Sequence, residues 1–127
     1  MNFRKHSNSF RESYIDTLGK LYEYSTRRYA KNRMSKVIDT EHEYTYDEFR
    51  RTCEMLSKRL TQFGIGASDK VAILAQNMPE WTVAFFSTVP FGRIAIPILP
   101  ESSANEVTNI LNHSESKVLF VSKKLLP

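Results

Sequence analysis

The sequence predicts an α/β protein in which a three-layer parallel sheet of βαβαβ units follows a helix, a small β-hairpin and a second helix. Three short apolar runs predict the parallel strands, at residues 70–75, 94–99 and 117–121. Asp69, Gly92 and Ser116 precede these runs, at a spacing of roughly 23 residues that fits one strand plus a crossover helix. Because the runs show little apolar–polar alternation, we expect strands covered on both faces.

Length and composition set the first limits. A chain of 127 residues fits one domain with a useful core, and its composition is typical of a globular protein. No apolar run is long enough for a membrane span, and the polar start does not resemble a signal peptide. The single cysteine, Cys53, excludes an intrachain disulfide and suits a reducing compartment. We therefore expect a cytoplasmic protein, with Cys53 as a small buried side chain.

The positive charge lies at the start of the chain. Residues 1–36 hold nine Lys and Arg against three Asp and Glu, although the whole chain carries only +4. Residues 1–13 are polar and without a period, which predicts a loose basic arm. Such an arm is most simply a solvated tail, and an anionic membrane surface or nucleic acid is the alternative. Phe3, Phe10 and Tyr14 match no nucleic-acid module, so no nucleic-acid partner is expected.

A helix, a hairpin and a second helix precede the first parallel strand. The first helix is expected from about Thr17 to Ala30, and a hairpin with His42 at its tip from residues 36–45. With no second His or Cys nearby, His42 is interpreted as a turn residue and not as a metal ligand. The residues expected on the inward face of the first helix are Leu18, Leu21, Tyr22, Ser25 and Tyr29.

The second helix has the clearest local signals. Thr45 and Glu48 have the spacing of a capping box, and Gly64 is placed to end the helix in the left-handed region. Ile65 is expected to fold back onto the last turn. The apolar stripe of this helix consists of Phe49, Cys53, Leu56, Leu60 and Phe63.

Two further helices connect the parallel strands. Asn77 is expected to cap the third helix, which runs to about Val89 and ends at Pro90 and Gly92. Ser103 and Glu106 form the capping box of the fourth helix. Residues 122–126 resemble the start of another helix, so the chain is expected to be a piece of a longer protein. The inward residues of the fourth helix are Val107, Ile110 and Leu111. The large side chains expected to be largely buried are Trp81, Phe85, Leu111, Leu119 and Phe120.

No catalytic, cofactor-binding or metal-binding residue is predicted. The four glycines form neither a dinucleotide fingerprint nor a phosphate loop, and the chain lacks CxxC and HExxH motifs. Asp47 with Glu48 is a helix-start pair, and His113 near a helix C-terminus has a capping role. Ligands of open α/β sheets collect beyond the carboxyl ends of the strands, here residues 76–77, 100–101 and 122–123.

An ordered set of motifs resembles the adenylate-forming enzymes, the superfamily of acyl-CoA synthetases, firefly luciferase and peptide-synthetase adenylation domains. Residues 69–81, DKVAILAQNMPEW, resemble the family segment GDRVAILLPNSPEW. Residues 17–21 resemble the family's opening helix, and residues 44–49, YTYDEF, resemble its segment YTYAEL. Residues 91–97, FGRIAIP, resemble its segment AGAVVVP, and residues 104–121 resemble its segment that ends in KVLFV. The likeness extends from Thr17 to Ser122 in the family's order. Pro90 and Phe91 depart from the family, which usually has a small residue before the glycine.

The resemblance implies that residues 14–127 are a partial N-terminal α/β subdomain of the large domain of an acid–CoA ligase, of the fatty-acid type. Such a parent would convert a fatty acid, ATP and CoA into acyl-CoA, AMP and pyrophosphate, with Mg²⁺ accompanying ATP. The family's ATP loop with its lysine, its aromatic substrate motif, its hinge acid and its C-terminal catalytic lysine do not occur in this sequence. No family site residue is therefore carried over, and the chain alone is expected to be inactive and to hold no cofactor.

Partners and alternatives follow from the same observations. The expected partners are the remainder of the parent chain and a second copy of this chain, with the parent peripheral at a membrane that supplies fatty acid. One alternative is a free-standing α/β interaction domain that uses the basic arm. Another is a compact nucleotide-binding α/β protein, which is disfavoured because no glycine loop follows the first parallel strand.

Overall fold

The computed structural model describes residues 15–126 and has an α/β architecture. The basic arm predicted for residues 1–13 lies outside the described residues. Two short 3₁₀ turns, Val89–Phe91 and Lys123–Leu125, accompany the helices and strands. In chain order the elements are α1 (Leu18–Arg28), β1 (Arg33–Lys36), β2 (Glu43–Thr45), α2 (Tyr46–Gln62), β3 (Lys70–Leu74), α3 (Pro79–Phe86), β4 (Ile94–Ile98), α4 (Ala104–Ser114) and β5 (Val118–Val121).

The predicted parallel sheet is confirmed. Its strand order is β4-β3-β5, and β3 pairs in parallel with both neighbours. Val71 lies opposite Ala95 on one side and Val118 on the other. Residues 71–73 of β3 are completely buried, as expected for the central strand of a covered sheet. β1 and β2 form a separate antiparallel pair, so the hairpin stands apart from this sheet.

Helices cover both faces of the sheet. Ala72 and Leu74 point to one face, where they meet α4 through Val107, Ile110 and Leu111. Val71 packs on the opposite face against Leu60 of α2 and against Ile65. α3 lies on this second face, because its Val83 and Ala84 line a cavity together with Ile73. The fold therefore has three layers, with α2 and α3 on one side and α4 on the other.

An aromatic cluster joins α1 to the helices of the second face. The buried ring of Tyr22 is stacked on Phe86, with centroids 5.9 Å apart, and meets the edge of Phe49 at 6.1 Å. The Tyr22 hydroxyl donates to the backbone oxygen of Arg50 at 3.2 Å. Cys53 and Val83 complete this cluster. This packing stabilises α1 without a high intrinsic helix propensity, since packing of an apolar face supplies most helix stability in proteins.

The predicted helix caps are present in α2 and α4. Both capping boxes form, at Thr45 with Glu48 and at Ser103 with Glu106. Gly64 has a φ of 80°, a left-handed conformation that glycine adopts without a steric penalty. The Ile65 N–H donates to the oxygen of Leu60 at 2.9 Å, so the chain folds back as predicted.

Several local predictions were wrong. The first hairpin strand is Arg33–Lys36 and not residues 36–39, because the turn occupies the residues up to His42. Met78, without a side-chain bond, is the N-cap of α3, and Asn77 is not. α3 ends at Phe86, and Pro90 lies in the following 3₁₀ turn, which Gly92 closes with a φ of 82°.

The burial predictions were also too broad. Trp81, Phe85, Leu111, Leu119 and Phe120 are only half-buried. β5 is an outer strand, and all four of its residues stay partly exposed. The outermost residues of the apolar faces predicted for α1 and α2 lie outside the core, since Leu18, Tyr29 and Phe63 are exposed. Within residues 122–126, Lys123–Leu125 form a 3₁₀ turn and not the first turn of an α-helix.

Candidate functional site: the carboxyl edge of the parallel sheet

The carboxyl ends of the three parallel strands meet at one edge. The Ser122 hydroxyl after β5 donates to the side-chain oxygen of Gln76 after β3, at 2.6 Å. The Ser122 N–H donates to the oxygen of Leu74 at 3.1 Å. These two bonds hold together the residues that follow β3 and β5, at the edge where open α/β sheets place ligands.

A cleft of about 450 Å³ opens between the ends of β3 and β4. The indole of Trp81, in the first turn of α3, is stacked on Phe85 with centroids 5.3 Å apart and ring planes within 11°. That contact holds the plane of the indole beside the cleft. The residues that line the cleft are Ala75, Gln76, Asn77, Trp81, Pro100 and Glu101.

The chemistry at this edge suits binding and not reaction. Covalent or acid–base catalysis needs a nucleophile within reach of a base, and the cleft offers two amides, one carboxylate and an indole. No group of three or more His, Cys, Asp or Glu within residues 15–126 is arranged to hold a metal ion. The cleft also lacks the cations and glycine-rich backbone that hold nucleotide phosphates, so its residues do not fit ATP with Mg²⁺.

The residues weighed as candidates lie outside the lining of the cleft. His42 Nε2 lies 3.0 Å from Glu80 Oε1, which links the hairpin turn to the start of α3. Burial raises the pKa of the Cys53 thiol to about 12, so this group is an inert part of the core. Asp47 pairs with Arg50 at 2.9 Å. His113 lies exposed in the last turn of α4.

The amino edge of the sheet carries charged groups with a structural role. One oxygen of Asp69 accepts from the Gly66 N–H at 2.7 Å, and the other lies 2.8 Å from Lys117 Nζ. The hydrogen bond from Lys117, followed by that from Gly66, lowers the pKa of Asp69 below its usual value. Asp69 therefore ties the turn before β3 to the residue before β5.

An apolar cavity of about 390 Å³ beside β5 was not predicted from the sequence. It lies between β5, α2 and α3, and its apolar walls include Leu56, Ile73, Trp81 and Phe120. The sequence feature that corresponds to this cavity is α3, a helix that is apolar on most sides. A helix of this kind packs against more than one layer, and α3 contacts both the sheet and α2 while leaving this cavity between them.

The described residues include no helix with the length and apolar character needed to cross a bilayer. A three-stranded parallel sheet covered by helices on both faces defines an α/β subdomain. The same arrangement occurs in solved N-terminal subdomains of adenylate-forming enzymes.

The family model described as AMP-binding enzyme matches residues 24–127, and the chain belongs to that family. A long-chain-fatty-acid–CoA ligase of Thermus thermophilus is 31% identical over an alignment of 125 residues that covers 94% of this chain and 23% of the relative. A putative acyl-CoA synthetase of Bacillus subtilis, YngI, is 30% identical over 105 residues, which are 83% of this chain and 19% of the relative. The chain thus spans about a fifth of the length of the curated relatives that it matches.

Solved structures agree with the sequence relatives. The Mycobacterium tuberculosis fatty acyl CoA synthetase superposes with a TM-score of 0.81 and 25% identity, over 91% of this chain and 23% of that one. The N-terminal domain of FACL13 from the same organism gives a TM-score of 0.74 and 28% identity, over 80% and 25% of the two chains. The predicted fold and the predicted membership in the adenylate-forming superfamily are therefore confirmed.

Proposed function

We propose that this chain is the N-terminal structural portion of an ATP-dependent fatty acid–CoA ligase. The observation that carries the proposal is the match with the Thermus thermophilus long-chain-fatty-acid–CoA ligase, which extends over almost the whole chain. The longer protein would join a fatty acid to CoA with ATP, releasing AMP and pyrophosphate, and Mg²⁺ would accompany the ATP.

The role of these residues in that protein is a scaffold. β3 provides a buried central strand, and helices cover both faces of the sheet. Since the cleft at the carboxyl edge does not fit ATP with Mg²⁺ and the sequence holds no phosphate loop, the groups that bind the nucleotide and carry out the reaction are assigned to other parts of the protein. We place the protein in the cytoplasm, an assignment supported by its free buried cysteine.

The proposed partners cover surfaces that the described residues leave exposed at β5. We propose that the remainder of the longer protein covers the outer edge of β5 and the apolar cavity beside it, and that a second copy does so when the chain is alone. A membrane surface that supplies the fatty acid is a further proposed partner of the longer protein.

The decisive experiment reads and expresses the coding sequence beyond codon 127. We expect a glycine-rich ATP loop downstream, and ATP–pyrophosphate exchange by the encoded protein that depends on a long-chain fatty acid. Acetate and benzoate are the matched control acids. Exchange with a control acid and not with fatty acids would reject the fatty-acid assignment. A stop codon directly after Pro127 would reject the ligase and favour the free-standing interaction domain.

A further inference from the structure

The cleft between β3 and β4 lies at a topological switch point of the sheet. β3 leads into α3 on one face, whereas the neighbouring β4 leads into α4 on the opposite face. The chain therefore leaves two adjacent strands in opposite directions, which opens a crevice between their carboxyl ends. In open α/β sheets such crevices are the preferred place for ligands.

The side chains in this cleft limit the chemistry of a ligand. Ser122 occupies the oxygen of Gln76, which leaves the amide NH₂ of Gln76 as a donor. Exposed Asn77 supplies a donor and an acceptor, and Glu101 supplies acceptors. Glu101 is the one charged residue in the lining, so the cleft disfavours phosphates and carboxylates.

An aromatic wall completes the site. The ring of Phe85 is stacked on the Trp81 indole and limits its rotation, and Pro100 adds a second apolar surface to the cleft. A flat apolar ring face with hydroxyls around its rim would match an indole wall flanked by amides and a carboxylate. The cleft, of about 450 Å³, has room for a small molecule.

We propose that this cleft binds a neutral pyranose sugar, as a mono- or disaccharide, with the ring on Trp81 and the hydroxyls on Asn77, Gln76 and Glu101. This site is separate from the reaction of the proposed ligase and does not depend on it. Binding of this kind would give the subdomain a ligand of its own.

The experiment uses the 127-residue chain and its single tryptophan, Trp81, which reports directly on the cleft. Methyl β-D-glucopyranoside, cellobiose and maltose are titrated while tryptophan fluorescence is recorded with excitation at the red edge. We expect a saturable change with at least one of them, and weaker binding of glucose 6-phosphate because Glu101 opposes its charge.

Variants separate this cleft from other surfaces. Asn77→Ala should weaken binding by about tenfold, the effect of losing roughly one hydrogen-bonded contact. Asn109→Ala, an exposed change on α4, is the matched control and should bind like the unchanged chain. Trp81→Ala should abolish binding measured by calorimetry, and circular dichroism checks that each variant is folded.

Three results would overturn the proposal. The first is that none of the three sugars gives a saturable response at millimolar concentration. The second is that Asn77→Ala binds sugar as tightly as the unchanged chain. The third is that the chain responds to adenosine and not to sugars. Because the measurement needs neither ATP nor the longer protein, its failure leaves the ligase proposal unaffected.

Discussion

Arg93 holds Ser57 by two hydrogen bonds, from Nη1 to the Ser57 hydroxyl at 2.8 Å and from Nη2 to the Ser57 backbone oxygen at 3.1 Å. Arg93 is 6% exposed, and its remaining bonds reach Thr61 at 2.8 Å, Ile65 at 3.0 Å and Ser87 at 3.5 Å. All of these acceptors are neutral, and several belong to the C-terminal part of α2, where the helix dipole favours a cation. This guanidinium therefore joins β4 to both helices of one face.

Replacing Arg93 tests this connection. Arg93→Lys should lower the free energy of unfolding by about 3 kcal/mol, because a single ammonium leaves several buried acceptors without a donor. Urea unfolding followed by circular dichroism measures the loss. Arg59→Lys, an exposed change on α2, the helix that carries Ser57, is the control and should change stability by less than about 0.5 kcal/mol. Equal stability of the two variants would show that the Arg93 network contributes little.

Two phenylalanines that differ in burial should differ in their effects on stability. Phe49 is 3% exposed, so Phe49→Ala should cost about 3–5 kcal/mol of unfolding free energy. Phe85 is half-buried, and Phe85→Ala should cost about half as much. Denaturant unfolding of both variants checks the order. A larger loss for Phe85→Ala would mean that the ring is covered more fully than the structure shows.

The Cys53 thiol should be protected at neutral pH. Its pKa is raised from 9.0 to about 12, chiefly by burial and then by the charge of Glu54. We expect a thiol-reactive disulfide dye to react slowly with the native chain and fast in urea. Since the unfolded thiol ionises first, stability should fall as pH rises from about 9 towards 12. Fast reaction of the native chain, at a rate independent of denaturant, would contradict the burial of Cys53.

The second helix was predicted in detail because its signals are local. Thr45, Glu48 and Gly64 act within one or two turns, and their effects do not depend on distant residues. The burial of Phe120 depends on what covers β5, which no local pattern records. Arg93 could not be singled out from the sequence, since its acceptors come from α2, the loop after it and the end of α3.

The cleft shows the same division between local and tertiary information. Its strand ends were predicted from strand periodicity and the rule for open sheets. Asn77 was assigned to a helix cap because its position before Pro79 and Glu80 satisfies the cap pattern. In the structure Met78 is the N-cap, and Asn77 lines the cleft together with Pro100, which follows β4.

Self-association should occur through the outer edge of β5. Pro97 lacks an N–H and weakens the edge of β4 for pairing, whereas β5 contains no proline. Lys117 N–H donates to β3, so strand alternation directs the Val118 N–H outward. Sedimentation velocity should show dimers or larger species that Val118→Pro disperses. Val118→Ala, which keeps the N–H, is the control. A clean monomer up to high micromolar concentration would contradict this interface.

The most direct test of the scaffold assignment is ATP–pyrophosphate exchange by the purified 127-residue chain with a panel of fatty acids. We predict exchange at the background of a reaction without protein, because the sequence holds no phosphate loop and the cleft at the carboxyl edge does not fit ATP with Mg²⁺. An intact acyl-CoA ligase assayed in parallel shows that the assay detects exchange. Exchange by the chain clearly above background, dependent on both ATP and a fatty acid, would contradict the assignment and place a catalytic site within these residues.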